Sequence, residues 1–452
     1  MDEFEGLDLG VELKPIKLGL MFFGGCGCNV ALQIMKLFDP QEHPHLHVFI
    51  TNTDGPQLRD FFLNPESKKE GKKGATLEEK NFQAWLKKAK SGTSQVQILL
   101  LGHTGKGAGG IPEVAAKAMQ EERVQKKVND FLCPDGNPLD ALILVGGAGK
   151  GTGAGCLPEA AKMAIAMNVE NITAIITMPL KMEAERRFKQ AEVTKATMLG
   201  ICPTIVIYNE QIPDKDVAMS VAWKNVNDAC IVKLLDAMRS VIQTVGRQMD
   251  TDLADQTTGN RTGTVKIFAS AKLEKEHSIE KFTEDVIKRD PYQDVTIWTK
   301  VQWINALFRG PWIMSEEGAV LSALKDGIEP SLKEKLIVNL GVAEEDGTEK
   351  WVALEGLAVM DSDESAAEGK QKLSQPAGEY TSTLYVETSA MGKTKEIKVS
   401  ADVADRWNRF SKNGSGIVDE VALGQLFDEI EFQTGVRPFV KHYGFARAVN
   451  GR

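Results

Sequence analysis

The stretch Ala141-Leu142-Ile143-Leu144-Val145-Gly146-Gly147-Ala148-Gly149-Lys150-Gly151-Thr152-Gly153-Ala154-Gly155 decides how this chain is read. Its first five residues are apolar, suited to a strand and bounded by glycine, which marks a short buried strand. Leu157 to Ala164, just beyond, has helical spacing. Strand, glycine loop and helix in that order make a phosphate cradle. Glycines let the backbone approach an anion, and the helix N-terminus offers unpaired N–H groups and partial positive charge. Glycines alternating this tightly between a strand and a helix speak against a plain surface loop. A Walker loop requires Ser or Thr directly after its lysine to hold magnesium; Gly151 follows Lys150 here, so that reading is poor.

At 452 residues the chain is long enough for two or three domains. Its net charge of −9 argues against broad, sequence-independent nucleic-acid binding, a local basic patch aside. It has no apolar run long enough to span a bilayer, and Met1-Asp2-Glu3-Phe4-Glu5 lacks the charge and apolar core of a signal peptide. Cysteines at 26, 28, 133, 156, 202 and 230 show no zinc spacing. A reducing cytoplasm is the expected setting.

Further loops follow strands in the same manner. The apolar run Ile16–Phe23 ends in Gly24-Gly25-Cys26-Gly27-Cys28-Asn29, and a helix-like stretch, Val30–Phe38, follows. Gly25-x-Gly27 with Asp54 downstream suggests a Rossmann fingerprint, but Val30 stands where the third glycine belongs. The strand His45–Ile50 leads to Thr51-Asn52-Thr53-Asp54-Gly55-Pro56-Gln57-Leu58. His43, His45 and His47 alternate at its entry, with no carboxylate nearby to suggest a metal; they read as ordinary surface or interface residues. After a charged insertion at Lys68–Gly74 and a helix at Leu77–Lys90, the strand Gln95–Leu101 leads to His103-Thr104-Gly105-Lys106-Gly107-Ala108-Gly109-Gly110-Ile111-Pro112-Glu113.

Together these loops resemble those of the tubulin and FtsZ superfamily. Gly149-Lys150-Gly151-Thr152-Gly153-Ala154-Gly155 is similar to its G-G-G-T-G-(S/T/A)-G, with Lys150 replacing the second glycine. Gly24, Gly25, Cys26 and Asn29 fall on its first nucleotide loop, and Asn52 and Asp54 on its N-T-D-x-x-x-L. Gly107, Ala108, Gly109, Pro112 and Glu113 match the loop around the terminal phosphate, while Ile111 replaces its Asn and Lys106 is unusual. Lys106 and Lys150 would bring two ammonium groups to the phosphates, where they could stabilise charge; solvent-facing lysines are the equal alternative. The strand Asn171–Met178 is followed by Pro179–Arg187, whose Glu183 and Arg187 fall on the family's ribose and base contacts; at i,i+4 they could equally pair with each other. Asn209, after the strand Pro203–Tyr208, is similar to the Asn that reads guanine. On a long helix from Asp216 to about Gly246, Trp223 would stack on the base and Asn227 and Asp228 would bond its edge. Core packing for Trp223 and a surface charge for Asp228 are the plain alternatives.

The stretch Gly246–Asp255 resembles the family's catalytic loop N-x-D-x-x-D, with Asp252 and Asp255 in place and Asp250 replacing the Asn. In the family that loop enters the next subunit's site and positions the attacking water. Beyond it come a strand at Thr264–Lys272, a helix at Ser278–Lys288, a strand at Asn305–Met314, a helix at Glu316–Lys325, and a strand–turn–strand hairpin over Leu336–Ala343 and Trp351–Met360. The acidic stretch Asp361–Gln375 reads as a linker. Strands at Thr383–Glu387 and Lys395–Val399 and helices at Val403–Phe410 and Asp419–Phe432 suggest a folded tail, ending in a basic and aromatic stretch, Arg437–Arg452.

The expected fold is α/β: a doubly wound parallel-sheet GTPase domain (1–215), a central helix and catalytic loop (216–256), a smaller α+β domain (257–360), a linker (361–375) and an α+β extension (376–452). The resemblance implies GTP and GDP as ligands, Mg²⁺ bridging the phosphates, hydrolysis needing two subunits, and head-to-tail filaments. The region before Thr264 resembles the plasmid and phage branch, TubZ and PhuZ, slightly more than cell-division FtsZ. An adaptor, a DNA complex or a capsid could bind the C-terminal region. The alternatives are a filament member that no longer hydrolyses and, less well supported, a Rossmann oxidoreductase.

Overall fold

The computed structural model describes residues 16–63, 76–180, 183–208, 219–246, 262–273, 293–333, 336–343, 350–359, 382–387 and 394–399. The readings placed on Lys68–Gly74, on the acidic loop at 247–255, on the helices at 278–288, 403–410 and 419–432, on the linker and on the basic end lie outside them.

The decisive strand runs two residues further than its apolar core, as β4 (Ala141–Gly147). It pairs in parallel with β1 (Leu18–Phe23) on one side and β5 (Asn171–Met178) on the other. Beyond β1 lie β2 (Leu46–Asn52) and β3 (Val96–Leu100), and beyond β5 lies β6 (Thr204–Tyr208), all parallel. The order β3-β2-β1-β4-β5-β6 reverses direction between β1 and β4. Ligands of doubly wound sheets bind in the crevice outside the carboxyl ends of the strands at such a point.

The strands are apolar on both faces because helices cover both. Leu18, Leu20 and Phe22 of β1 face a core closed by α1 (Gly24–Leu37), α3 (Leu77–Ser91) and α8 (Met219–Gly246). Met21 and Phe23 face the opposite core, closed by α4 (Pro112–Met119), α5 (Glu122–Leu132), α6 (Gly151–Ala166) and α7 (Glu185–Leu199). Each such fully buried side chain stabilises the fold by about 1.5–3 kcal/mol. α2 (Gly55–Leu58) is a single turn after β2, capped by the Asp54 carboxylate.

The sheet does not stop at the end of the first half. β6 meets β7 (Thr264–Lys272) at the pair Thr204–Val265, and the ten-stranded sheet is completed by β8 (Val301–Arg309), β9 (Ile337–Ala343) and β10 (Trp351–Val359). The hairpin expected of the last two strands does not form. β10 lies between β7 and β8, antiparallel to both, and β9 pairs in parallel with the far edge of β8. Val352, Leu354, Leu357 and Ala358 are buried, and the interior position gives β10 two partners where a hairpin at the edge would give one. β8 also ends five residues earlier than expected: Gly310, at φ +94°, turns the chain, and Met314 opens α9 (Met314–Asp326). This half has its own core, including Ile267, Trp298, Val301, Phe308 and Leu324.

The chain divides after Gly369 into two units. In the second, β11 (Ser382–Glu387) and β12 (Thr394–Val399) pair antiparallel. Among the described residues no helix is long and apolar enough to cross a membrane.

Candidate nucleotide site

The segments that follow β1, β2, β3 and β4 meet at the reversal point. After β1 no free loop exists: α1 begins at Gly24, not near Val30, so the glycine run forms its first turns. Gly24 adopts φ +68°, and a Cβ there would lie 3.2 Å from Thr152 Cβ. A Cβ on Gly27 would lie 2.8 Å from the Phe22 carbonyl carbon. Asn29, Gly25 and Cys26 are half-buried on the same turns.

After β2, the Thr53 and Thr152 hydroxyls are hydrogen-bonded at 2.7 Å, tying the second loop to the start of α6. Asn52 Nδ2 donates to Gln57 Oε1 at 2.7 Å, and Asp54 Oδ1 accepts from the Gln57 N–H at 3.0 Å. The third loop is laced to the second by backbone: Gly55 N–H donates to Gly105 O, Gly107 N–H to Thr53 O, and Asp54 and Lys106 form a β-bridge. Gly107 sits at φ +82°, a conformation that favours glycine. Ala108 is buried under the loop, while Gly109 and Lys106 are exposed.

The glycines after Lys150 serve packing first. A Cβ on Gly151 would meet Ala108 Cβ at 2.8 Å, one on Gly153 would meet Gly147 O at 2.2 Å, and one on Gly155 would meet Pro112 O at 2.0 Å. They let α6 lie directly on β4 and α4. Gly149 likewise lies under Pro179 and the Arg187 carbonyl. What is offered to an anion is the helix end itself. Lys150 is the N-cap of α6 and Phe23 that of α1; neither helix has a side-chain cap or an acid in its first turn. By contrast Thr76 and Glu79 cap α3 reciprocally. The first N–H groups of a helix have no intrahelical acceptor and carry partial positive charge. Two such ends side by side suit a polyanion.

Glu183 and Arg187 do pair with each other, Arg187 Nη1 donating to Glu183 Oε2 at 2.7 Å, beside Gly149. On α8, Asn227 is half-buried and Asp228 exposed. The Trp223 side chain, Asn209, Asp250, Asp252 and Asp255 lie outside the described residues. His47, read as a surface or interface residue, is instead buried on β2 with its ring 6.5 Å from that of Phe131.

The structure adds residues that motif reading passed over. Thr177, near the end of β5, donates to Cys26 Sγ at 3.6 Å, and its carbonyl accepts from Ala148 N–H. The neighbouring Cys230 thiol of α8 holds the Cys26 thiol below its ordinary range against the opposing effect of burial, with Thr177 and the Lys150 ammonium helping. Cys230 is pushed well above its range by the Cys26 thiol and by burial, and burial pushes Cys28 up to about 12. Thr53 sat in plain view inside the Thr51–Leu58 stretch; nothing in the sequence marked Cys230. Among the described residues no three or more His, Cys, Asp or Glu gather as for a metal.

Comparison with known proteins agrees with this arrangement. Residues 19–215 match the Tubulin/FtsZ family, GTPase domain. Cell division protein FtsZ 1 of Halobacterium salinarum is 26% identical over 233 residues, which is 51% of this chain and 56% of that protein. The chain thus spans about half the length of the curated relatives it matches. Among solved structures, the GDP-bound monomer of CetZ1 from Haloferax volcanii is 16% identical, with TM-score 0.57 over 79% of this chain and 98% of that one. A GTPγS-form protofilament of TubZ from Bacillus thuringiensis serovar israelensis is 11% identical, with TM-score 0.53 over 80% and 92%. At such identities the likeness shows the fold, and it does not favour TubZ over CetZ. The doubly wound sheet and the matched stretch agree: residues 19–215 of this chain are similar to the Tubulin/FtsZ family's GTPase domain.

Proposed function

We propose that this protein binds and hydrolyses GTP and assembles head-to-tail into filaments. The observation that carries the reading is the pair of uncapped helix ends, α1 and α6, set together at the reversal point of the sheet. Their N–H groups, the third loop from Lys106 to Gly109 and the Thr152 hydroxyl would hold the phosphates. Lys150, the N-cap residue of α6, would add charge there. Glu183 and Arg187 would take the ribose, and Asn209, Trp223, Asn227 and Asp228 the guanine.

In this reading Asp250, Asp252 and Asp255 of the adjoining copy polarise the attacking water. Turnover then depends on assembly, because neither half of the site acts alone. Mg²⁺ bound with the nucleotide would neutralise phosphate charge. A cytoplasmic setting and a cargo or adaptor bound by residues 376–452 complete the proposal.

Phosphate release measured against protein concentration tests it. Shared sites require specific activity to rise with concentration, alongside filaments seen by electron microscopy with GTP. Asp252→Asn and Asp255→Asn should retain GTP binding and lose turnover by about 10²-fold or more. Constant specific activity would exclude the shared site. GTP binding and filaments with no phosphate release would favour a structural member that has lost catalysis, and bound NAD in place of guanine nucleotide would favour an oxidoreductase.

A further inference from the structure

We propose that Arg123, in the first turn of α5, is a positioning residue for the third loop: it clasps the start of the loop so that Lys106 to Gly109 meet a terminal phosphate. The phosphate half of this proposal rests on the nucleotide reading above. The loop has little shape of its own. Gly102, Gly105, Gly107, Gly109 and Gly110 all lie at positive φ, between +59° and +82°. Glycine loses more conformational freedom on ordering than any other residue, so ties from outside decide where such a loop sits. On the side of β2 those ties fall at Leu101, Gly105 and Gly107: Leu101 N–H donates to Asn52 O at 2.9 Å, Gly55 N–H to Gly105 O at 2.8 Å and Gly107 N–H to Thr53 O at 2.9 Å. Between Leu101 and Gly105 the chain is held from the other side, by α5. Arg123 Nη2 donates to Gly102 O at 3.2 Å and to Leu100 O at 3.4 Å, and Nη1 to Leu100 O at 3.5 Å. β3 is an edge strand, and the carbonyl of its last residue is taken by this guanidinium.

Glu121 fixes the guanidinium in turn. It is the N-cap residue of α5, yet its side chain makes no cap bond to the helix. Its Oε2 accepts from Arg123 Nε at 3.0 Å, and its Oε1 stands 3.6 Å from His103 Nε2. One carboxylate therefore braces both the arginine and the loop residue next to Gly102. The guanidinium is a planar fork of donors in fixed directions. With Nε committed to Glu121, both Nη groups are left for the two carbonyls. A lysine ammonium is a point charge on a flexible stem and cannot reach all three acceptors at once. Arg123 and Glu121 keep 46% and 24% of their side-chain surface exposed. An ion pair so placed adds little to global stability, so its effect is local, on the loop.

The test compares full-length wild type, Arg123→Ala and Arg123→Lys. The readouts are GTP and GDP affinity, melting temperature, and amide exchange over residues 102–110 in nucleotide-stripped protein. In Arg123→Ala the loop should exchange faster at an unchanged melting temperature. GTP should bind about five- to tenfold more weakly and GDP within about twofold of wild type. Arg123→Lys keeps the charge without the fork, and should still lose at least about threefold in GTP affinity. Full GTP affinity in Arg123→Lys would mean that charge acts at a distance, and overturns the clasp. Equal losses for GTP and GDP, or a loop whose exchange does not change, overturn it as well. If Arg123→Ala does not fold, Arg123→Lys decides by the same readouts. A wild type that binds neither nucleotide, while loop exchange still rises in Arg123→Ala, overturns the nucleotide reading and supports the clasp.

Discussion

A Cβ on Gly155 would stand 2.0 Å from the carbonyl oxygen of Pro112. The approach of α6 to α4 is therefore set by a missing side chain, and Gly151, one turn earlier, meets the residue before Pro112 in the same way. In an open helix interior, Gly→Ala gains about 0.5–1 kcal/mol. Here Gly155→Ala should instead cost about 1–3 kcal/mol, because the backbones must part. Urea denaturation gives the sign. A stabilised variant would mean that the glycine serves something other than this crossing.

The 2.7 Å bond between Thr53 and Thr152 joins two of the four loops. Thr53 is 5% exposed, so Thr152→Val leaves a buried hydroxyl without that partner, at about 1–3 kcal/mol. Thr53→Val with Thr152→Val should recover part of the loss, since neither hydroxyl then remains. A double-mutant cycle on stability, run beside GTP affinity, separates the structural bond from phosphate contact. Affinity should fall in both variants that lack the Thr152 hydroxyl.

In the second half of the sheet, Lys266 Nζ lies 2.8 Å from Glu355 Oε1, and Asn305 Nδ2 donates to Glu355 Oε2 at 2.9 Å. Both charged side chains are almost fully enclosed, at 9% and 4% exposure. Glu355→Leu alone should cost about 3–5 kcal/mol by stranding a buried ammonium. Adding Lys266→Met should return most of that stability. Thermal melts of both variants check the ordering, and a single variant as stable as the pair would sink the argument.

His47 should make the fold acid-sensitive. Burial holds its imidazole below the ordinary value of 6.5, against a hydrogen bond with the Ser94 backbone and the Asp135 carboxylate, with Lys17 and His45 acting with burial. The unfolded chain therefore takes up the proton more readily. The stabilisation is complete above 6.5 and is lost as pH falls through the folded value. The melting temperature should drop between about pH 7.5 and 5.5, and less steeply in His47→Leu. His45, half-buried and shifted in the same direction by burial and His43, adds to the slope. Equal slopes in wild type and variant would exclude His47 as a cause.

The continuous apolar runs were sufficient to place β1 to β6, because a strand buried on both faces needs such a run, and glycine marks the tight exits of β1, β3 and β4. They also located the candidate phosphate loops, since strand, glycine and helix are local features. The partners of those loops were not local. Whether Gly155 faces an anion or a carbonyl and whether Thr53 meets Thr152 depend on elements crossing between distant segments. The same holds for β10: its composition shows a strand, but hydrogen bonding to β7 and β8 is a choice among neighbours that only the assembled sheet offers. Backbone preference and hydrophobic pattern act over a few residues and are written along the chain; close packing acts across it, and only the folded molecule reveals which atoms it brings together.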